Sequence, residues 1–204
     1  MAVITISRQF GAGGKTLALK MTEALNYEIA HELIIEQLAE KAKLSEDGVR
    51  AFEVEEEVDS SQSTATVSSG RKFMDRIFET QRKYMDEQTY LKLLYEIMPK
   101  VAEQDNIIIL GRGAQFILKD RPHTYHVLLV AEYEDRVKFM QQQYGLSEED
   151  ARQAVAKQSK RRLKLMKVFH REDYDQPVHY NLVVNMSKVT IDQALEIVSE
   201  LVKS

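Results

Sequence analysis

The sequence predicts an α/β fold, a parallel sheet covered by helices on both faces, and two observations carry that expectation. Short apolar runs at residues 3–6, 107–110, 125–130 and 182–184 are rich in Ile, Val and Leu, as strands buried on both faces are. Between most of them lie stretches of helical periodicity, and alternating β and α elements imply a parallel sheet. Ligands of such sheets bind beyond the carboxyl ends of the strands. The glycine turn after the first strand, the Gly111-Arg112-Gly113 turn and the end of the 125–130 strand are therefore expected along one edge.

The first element carries the clearest chemistry. Val3-Ile4-Thr5-Ile6 runs through Ser7-Arg8-Gln9-Phe10 into Gly11-Ala12-Gly13-Gly14-Lys15-Thr16, and a helical pattern follows over residues 17–25. Strand, glycine turn and helix in that order form a phosphate cradle, a P-loop. Glycines let backbone N–H groups close around anionic oxygens, and the helix presents its positive N-terminal end. Lys15 supplies a mobile charge for the β- and γ-phosphates, and the Thr16 hydroxyl suits a magnesium ion. The complete P-loop pattern has a glycine where Gln9 stands. A further short strand is expected at residues 27–30.

Composition narrows the function classes. The 204 residues suffice for one α/β domain with insertions, and a net charge of -4 argues against a general nucleic-acid binder. With no cysteine there is no disulfide, thiolate metal site or cysteine nucleophile. The first apolar run is only a strand long and lacks a basic start, and no run reaches membrane-spanning length. A cytoplasmic location without membrane association is the expectation.

Two segments depart from the core rhythm. Residues 35–100 open with a helical pattern (Ile35, Leu38, Ala42), pass an acidic cluster at residues 53–59 and continue into the small polar stretch 60–70, which reads as a loop. The acidic cluster, without histidine nearby, reads as a solvated face rather than a metal site. From residue 71 to about 104 the spacing of Phe73, Ile77, Phe78, Met85, Tyr90, Leu91, Leu94, Ile97 and Val101 predicts one long helix or two, with a kink or break at Pro99. That stripe covers either the core or a second copy of the chain, so a homodimer is one expectation. The second departure is basic. After a helix start at Ser147-Glu148-Glu149-Asp150, residues 157–171 hold Lys157, Lys160, Arg161, Arg162, Lys164, Lys167 and Arg171 and no acidic residue. Beside a P-loop, this reads as an arm that closes over polyphosphate, with a solvated basic face as its rival.

These residues resemble the cytidylate kinase-like family. The resemblance lies in Ile4-Thr5-Ile6-Ser7-Arg8-Gln9-Phe10-Gly11-Ala12-Gly13-Gly14, in Ile108-Ile109-Leu110-Gly111-Arg112-Gly113-Ala114 and in His126-Val127-Leu128-Leu129-Val130. It continues in Glu134-Asp135-Arg136-Val137, the basic helix and Tyr180-Asn181-Leu182-Val183-Val184-Asn185. It implies a three-layer P-loop NTPase fold of the nucleoside monophosphate kinase type, with a five-stranded parallel sheet. The core would comprise about 1–34, 101–143 and 176–204, a monophosphate-binding insertion about 35–100 and a lid about 144–175. The implied reaction is ATP-dependent, magnesium-assisted phosphoryl transfer to a small acceptor, most simply a nucleoside monophosphate. On this resemblance Gly11, Ala12, Gly13, Gly14, Lys15 and Thr16 hold the ATP phosphates, with Lys15 catalytic and Thr16 on the metal. Arg112 grips the acceptor phosphate through a bidentate fork, with Arg8 as a second candidate, and Arg161 and Arg162 descend with the lid, Arg162 as the catalytic lid arginine. A second register remains open, in which Gly11-Ala12-Gly13 overlays the Gly-Ala-Gly of nucleoside monophosphate kinases and Gly14 falls in the lysine slot.

The chain departs from the family where relatives carry aspartates. Ala30 follows the second strand, Leu110 precedes the Gly-Arg turn, and Ser159 stands two residues before Arg161. The first departure leaves base and sugar recognition unassigned, with His31 the candidate substitute. The departures keep two further readings open: a kinase of another small hydroxyl compound, and a degenerate kinase that senses nucleotide and presents a surface to a partner. An RNA-binding role for the basic helix lacks a stacking platform.

Overall fold

The central strand explains the architecture. Val3, Ile4 and Ile6 are fully buried, so the first strand must be covered on both faces and flanked on both edges. The structure, a computed structural model, describes residues 2–55, 85–169 and 173–203. In it, β1 (Val3–Arg8) is the middle of a five-stranded parallel sheet. The others are β2 (Glu28–Ile29), β3 (Ile107–Leu110), β4 (Thr124–Val130) and β5 (Leu182–Asn185), in the order β2-β3-β1-β4-β5. Each strand lies within a residue or two of its expected place.

Helices cover both faces. The helices are α1 (Gly14–Leu25), α2 (His31–Ala42), α3 (Glu46–Glu55), α4 (Glu87–Ala102), the single turn α5 (Ala114–Ile117), α6 (Tyr133–Tyr144), α7 (Glu148–Val168) and α8 (Ile191–Lys203). The alternation of β3 shows the layering. Ile107 and Ile109 face Ile34, Leu38, Leu94 and Ile97 of α2 and α4, whereas Ile108 faces Leu17 and Met21 of α1 and Val198 of α8. A third, smaller cluster, Val137, Met140, Ala151 and Val155, joins α6 to α7 as a hairpin. Ser147 caps α7 by accepting from the Asp150 N–H at 3.1 Å, as its sequence signature predicts.

The helical stripe of residues 85–101 is core: Met85, Tyr90, Leu94, Ile97 and Val101 are buried within the chain. Phe73, Ile77 and Phe78, the polar stretch 60–70 and Arg171 lie outside the described residues. Of the kink or break expected at Pro99, the break is absent, for α4 runs through it to Ala102. Proline removes one hydrogen bond, here to the carbonyl of the exposed Tyr95, and the buried Ile97, Met98, Val101 and Ala102 hold the last turn in place. Among the described residues no helix is long and apolar enough to cross a membrane.

The turn after β3 brings three successive left-handed residues, Gly111 (φ +72°), Arg112 (φ +53°) and Gly113 (φ +66°). At Gly113 a Cβ would meet the Phe169 ring at the end of α7, within 2.6 Å of Cε1. Gly113→Ala is therefore expected to destabilise the protein by roughly 1–3 kcal/mol, from the left-handed backbone and the displaced ring together. A urea midpoint that drops with an unchanged slope is the expected readout.

Candidate functional site

The glycine turn leaves β1 at the sheet edge that its sequence predicts. Helix α1 begins at Gly14, so Lys15 and Thr16 fall in its first turn, and no side chain caps it. The N–H groups of Gly13, Gly14, Lys15 and Thr16 donate no hydrogen bond among the described residues. The exposed Lys15 side chain and the half-buried Thr16 hydroxyl are likewise without partners among them. An uncapped helix start with free donors and a free cation fits a polyphosphate. Gly11 (φ +86°) is required by a close approach, since a Cβ there would lie 2.8 Å from the Arg136 carbonyl oxygen. Gln9, which replaces the first glycine of the pattern, stitches the loop to β4. Its N–H donates to the Leu129 carbonyl at 3.0 Å, and its Oε1 accepts from the Ala131 N–H at 3.0 Å.

Beside this loop a cavity of about 430 Å³ opens over the ends of β1 and β3. Its floor includes Ser7, Arg8, Leu110, Gly111 and Arg112; α7 contributes Arg161, Arg162, Leu165 and Met166; and His31, Arg50, Phe52, Glu53 and Tyr90 come from α2, α3 and α4. Lys15 and Thr16 do not line it, so the glycine loop and the cavity are adjacent compartments.

Most of the cavity's cations are already matched. Arg112 is held by Glu53, Nε to Oε1 at 2.6 Å and Nη2 to Oε2 at 2.8 Å, with side chains only 6% and 13% exposed. The Tyr90 hydroxyl donates to the same Oε1 at 2.7 Å. Burial by itself would raise the Glu53 carboxyl, but the Arg112 charge and the hydrogen bonds from Arg112 and Tyr90 hold it below the usual carboxylate range. Arg162 pairs with both Asp175 oxygens at 2.8 and 2.5 Å, donates to the Ser7 hydroxyl at 3.0 Å and lies over the Tyr174 ring. Arg50 pairs with Glu32 and Glu46. Arg8 and Arg161 have no hydrogen bond or ion pair among the described residues. Burial, then repulsion from Arg112, Arg162 and Arg161, lowers the Arg8 guanidinium to about 10. The Arg112 Nη1 is also buried without a partner among the described residues.

The structure thus brings Arg8, His31, Arg112, Arg161 and Arg162 into one cavity and leaves Gly11–Thr16 on the neighbouring loop. His31 begins α2 without capping it, and burial, reinforced by Arg112, lowers its imidazole. The Arg112 fork, expected on the acceptor phosphate, is occupied by Glu53. The acidic cluster is correspondingly no solvated face at Glu53, because helix α3 turns that residue inward onto a buried guanidinium. Sequence reading missed Glu53, Tyr90 and Asp175, for which no local signal exists. It also passed over Arg136, although that residue stands in a quoted motif. Arg136 donates to the Phe10 carbonyl at 3.4 Å and the Ser159 hydroxyl at 3.2 Å, tying the glycine loop to α7 where relatives carry an aspartate. Among the described residues no group of three or more His, Cys, Asp or Glu side chains could hold a metal. Magnesium would have the Thr16 hydroxyl, phosphate oxygens and water, a set that suits an ion which keeps several waters.

Comparison with known proteins gives the family and the fold. A profile of the cytidylate kinase-like family matches residues 3–188, and the chain belongs to that family. No curated protein matches it. Among solved structures, an uncharacterized protein from Eubacterium ventriosum ATCC 27560 aligns over 100% of this chain and 99% of its own, at 20% identity and a TM-score of 0.63. A shikimate kinase from Acinetobacter baumannii in complex with shikimate aligns over 99% and 93%, at 11% identity and a TM-score of 0.50. A deoxyadenosine kinase from M. mycoides aligns over 99% and 100%, at 13% identity and 0.46. The fold is that of the P-loop kinases.

The Glu53–Arg112 pair makes stability depend on acid. Glu53→Ala strands a buried guanidinium and is expected to cost about 3–5 kcal/mol at neutral pH. Because the folded carboxyl titrates below its unfolded value, this contribution is complete above about pH 4.3 and is lost as pH falls through the lower folded value. Denaturation of wild type and variant at pH 7 and below pH 4 should show the gap closing in acid.

Proposed function

We propose that this member of the cytidylate kinase-like family transfers the γ-phosphoryl group of ATP to a nucleoside monophosphate bound in the cavity over β1 and β3. The observation that carries this reading is the pair of uncompensated guanidiniums, Arg8 and Arg161. Arg112, Arg162 and Arg50 each have carboxylates, so the cavity retains the charge that a phosphate monoester dianion would neutralise. The buried Arg112 Nη1 is a further donor for the same group.

The roles then follow from position. The Gly13–Thr16 N–H groups and Lys15 bind the donor's phosphates, and Arg8, Arg161 and Arg112 Nη1 bind the acceptor's. Arg162, anchored on Ser7 and Asp175, spans from the α7 helix to the end of β1, where charge develops on the transferred group. Leu165 and Met166 on the same helix exclude water from the cavity. The Thr16 hydroxyl would hold a magnesium ion, which would supply charge neutralisation at the donor's phosphates. No covalent nucleophile is needed; in-line positioning and charge neutralisation suffice. The division into core, monophosphate-binding insertion (35–100) and lid (144–175) belongs to this reading. Kinase membership leaves the acceptor open, and the cavity's charge favours a phosphorylated one over a neutral hydroxyl compound.

A coupled phosphoryl-transfer assay with ATP and magnesium against cytidine, uridine, deoxycytidine, adenosine and guanosine monophosphates tests the reading. Lys15→Ala should reduce kcat on the order of 10²-fold or more. Arg8→Met, which keeps the stem packed on Gly14, should raise the acceptor KM by about 10- to 100-fold and leave the ATP KM near wild type. An Arg8→Met variant that loses ATP affinity instead would move Arg8 to the donor side and sink this assignment.

A further inference from the structure

Glu53 has acceptor capacity that its partners do not use. An ionised carboxylate offers about four hydrogen-bond positions. Arg112 takes two and the Tyr90 hydroxyl takes a third, which leaves one on Oε2 among the described residues. The carboxylate lines the cavity, and the Phe52 ring, next to it on α3, packs at a tilt of 46° against Tyr90 with centroids 5.2 Å apart. A carboxylate with an unused lone pair therefore stands at the cavity beside the Phe52–Tyr90 ring pair.

Its distance from the phosphate site selects what it would meet. Glu53 occupies the Nε–Nη2 edge of the Arg112 guanidinium, and the unpartnered Nη1 lies on the other side. Anionic groups held on opposite sides of one guanidinium stand on the order of 6 Å apart. In a nucleoside 5′-monophosphate the sugar hydroxyls lie at that remove from the phosphate, and the base lies a sugar ring further out.

We propose that Glu53 sets acceptor specificity by accepting a hydrogen bond from a sugar hydroxyl of the nucleotide whose phosphate rests on Arg8, Arg161 and Arg112 Nη1. This rests on the acceptor-site reading above. By filling the Arg112 fork, Glu53 also leaves the phosphate to Arg8 and Arg161.

Calorimetric titration of the 5′-monophosphates of cytidine, uridine, adenosine and guanosine, each beside its 2′,3′-dideoxy form, tests this. Wild type should bind a hydroxylated nucleotide on the order of tenfold or more tighter than its dideoxy form, as expected for a hydrogen bond to a charged group. In Glu53→Gln the ratio should fall to about twofold. The amide's single oxygen is consumed by Arg112 and Tyr90, and the uncharged NH₂ replaces the free lone pair, so the hydroxyl loses its charged acceptor. Arg8→Met should weaken both forms alike and keep the ratio. Equal binding of both forms by wild type overturns the proposal without any variant. So does a folded Glu53→Gln protein with an undiminished ratio, which would confine Glu53 to holding Arg112. Should Glu53→Gln not fold, Glu53→Asp, which keeps the charge on a shorter stem, must shrink the ratio or the proposal fails. If wild type binds none of the four nucleotides, the acceptor-site reading itself fails, and the proposal falls with it.

Discussion

Like-charge repulsion at one sheet edge is the constraint around which this molecule is organised. Arg8, Arg112, Arg161 and Arg162 converge on one cavity from a strand, a strand-end turn and a helix. Guanidiniums at such range oppose one another in a partly dry site; burial first, and then repulsion from Arg112, Arg162 and Arg161, lower Arg8 to about 10. Two carboxylates from outside the sheet, Glu53 on α3 and Asp175 after α7, offset half of the charge. Of the remainder, Arg161 is carried by α7, and Arg8 stands at the end of the central strand, where pairing with β4 opposite Leu129 fixes its backbone.

The same pairs connect the moving parts of the proposed mechanism to the sheet. Glu53 fastens the insertion to the β3 turn, and Arg162 fastens α7 to Ser7 at the end of β1. Arg136 links the glycine loop to Ser159, and the Phe169 ring at the end of α7 rests on Gly113. Each contact replaces solvent beside the cavity with a fixed dipole, charge or ring. A phosphoryl-transfer site needs such surroundings, because its electrostatic terms weaken wherever water enters.

The departures from the family pattern have local physical accounts. Gln9 stands in a glycine slot because its side chain bonds the end of β4, a task glycine has no atoms for. Ser159 stands where relatives have aspartate; its hydroxyl donates to the Val155 carbonyl and accepts from Arg136. Arg136 keeps a neutral partner at that point, and its Nε is left without one among the described residues. Leu110, in place of a carboxylate, contributes an apolar wall to the cavity.

What the sequence by itself determined is what short-range chemistry encodes. Short runs of Ile and Val between helical patterns read as strands covered on both faces, and three glycines before Lys-Thr read as a turn into a helix. Ser147 before three acidic residues is a helix cap, and Arg112 between two glycines is a side chain aimed from a strand end. The tertiary structure alone decided the charges' partners. Glu53 sits in a run of acidic residues that looks solvated, and only the packing of α3 against α2 and α4 turns it inward onto a guanidinium 59 positions away. Asp175 is likewise silent until β1 and α7 meet. Pairing across the chain depends on which faces touch, and an acidic residue reads the same in sequence whether it meets water or a buried arginine. For that reason the strand, glycine turn and helix of residues 3–25 were legible, whereas the identity of the unmatched cations, Arg8 and Arg161, was not.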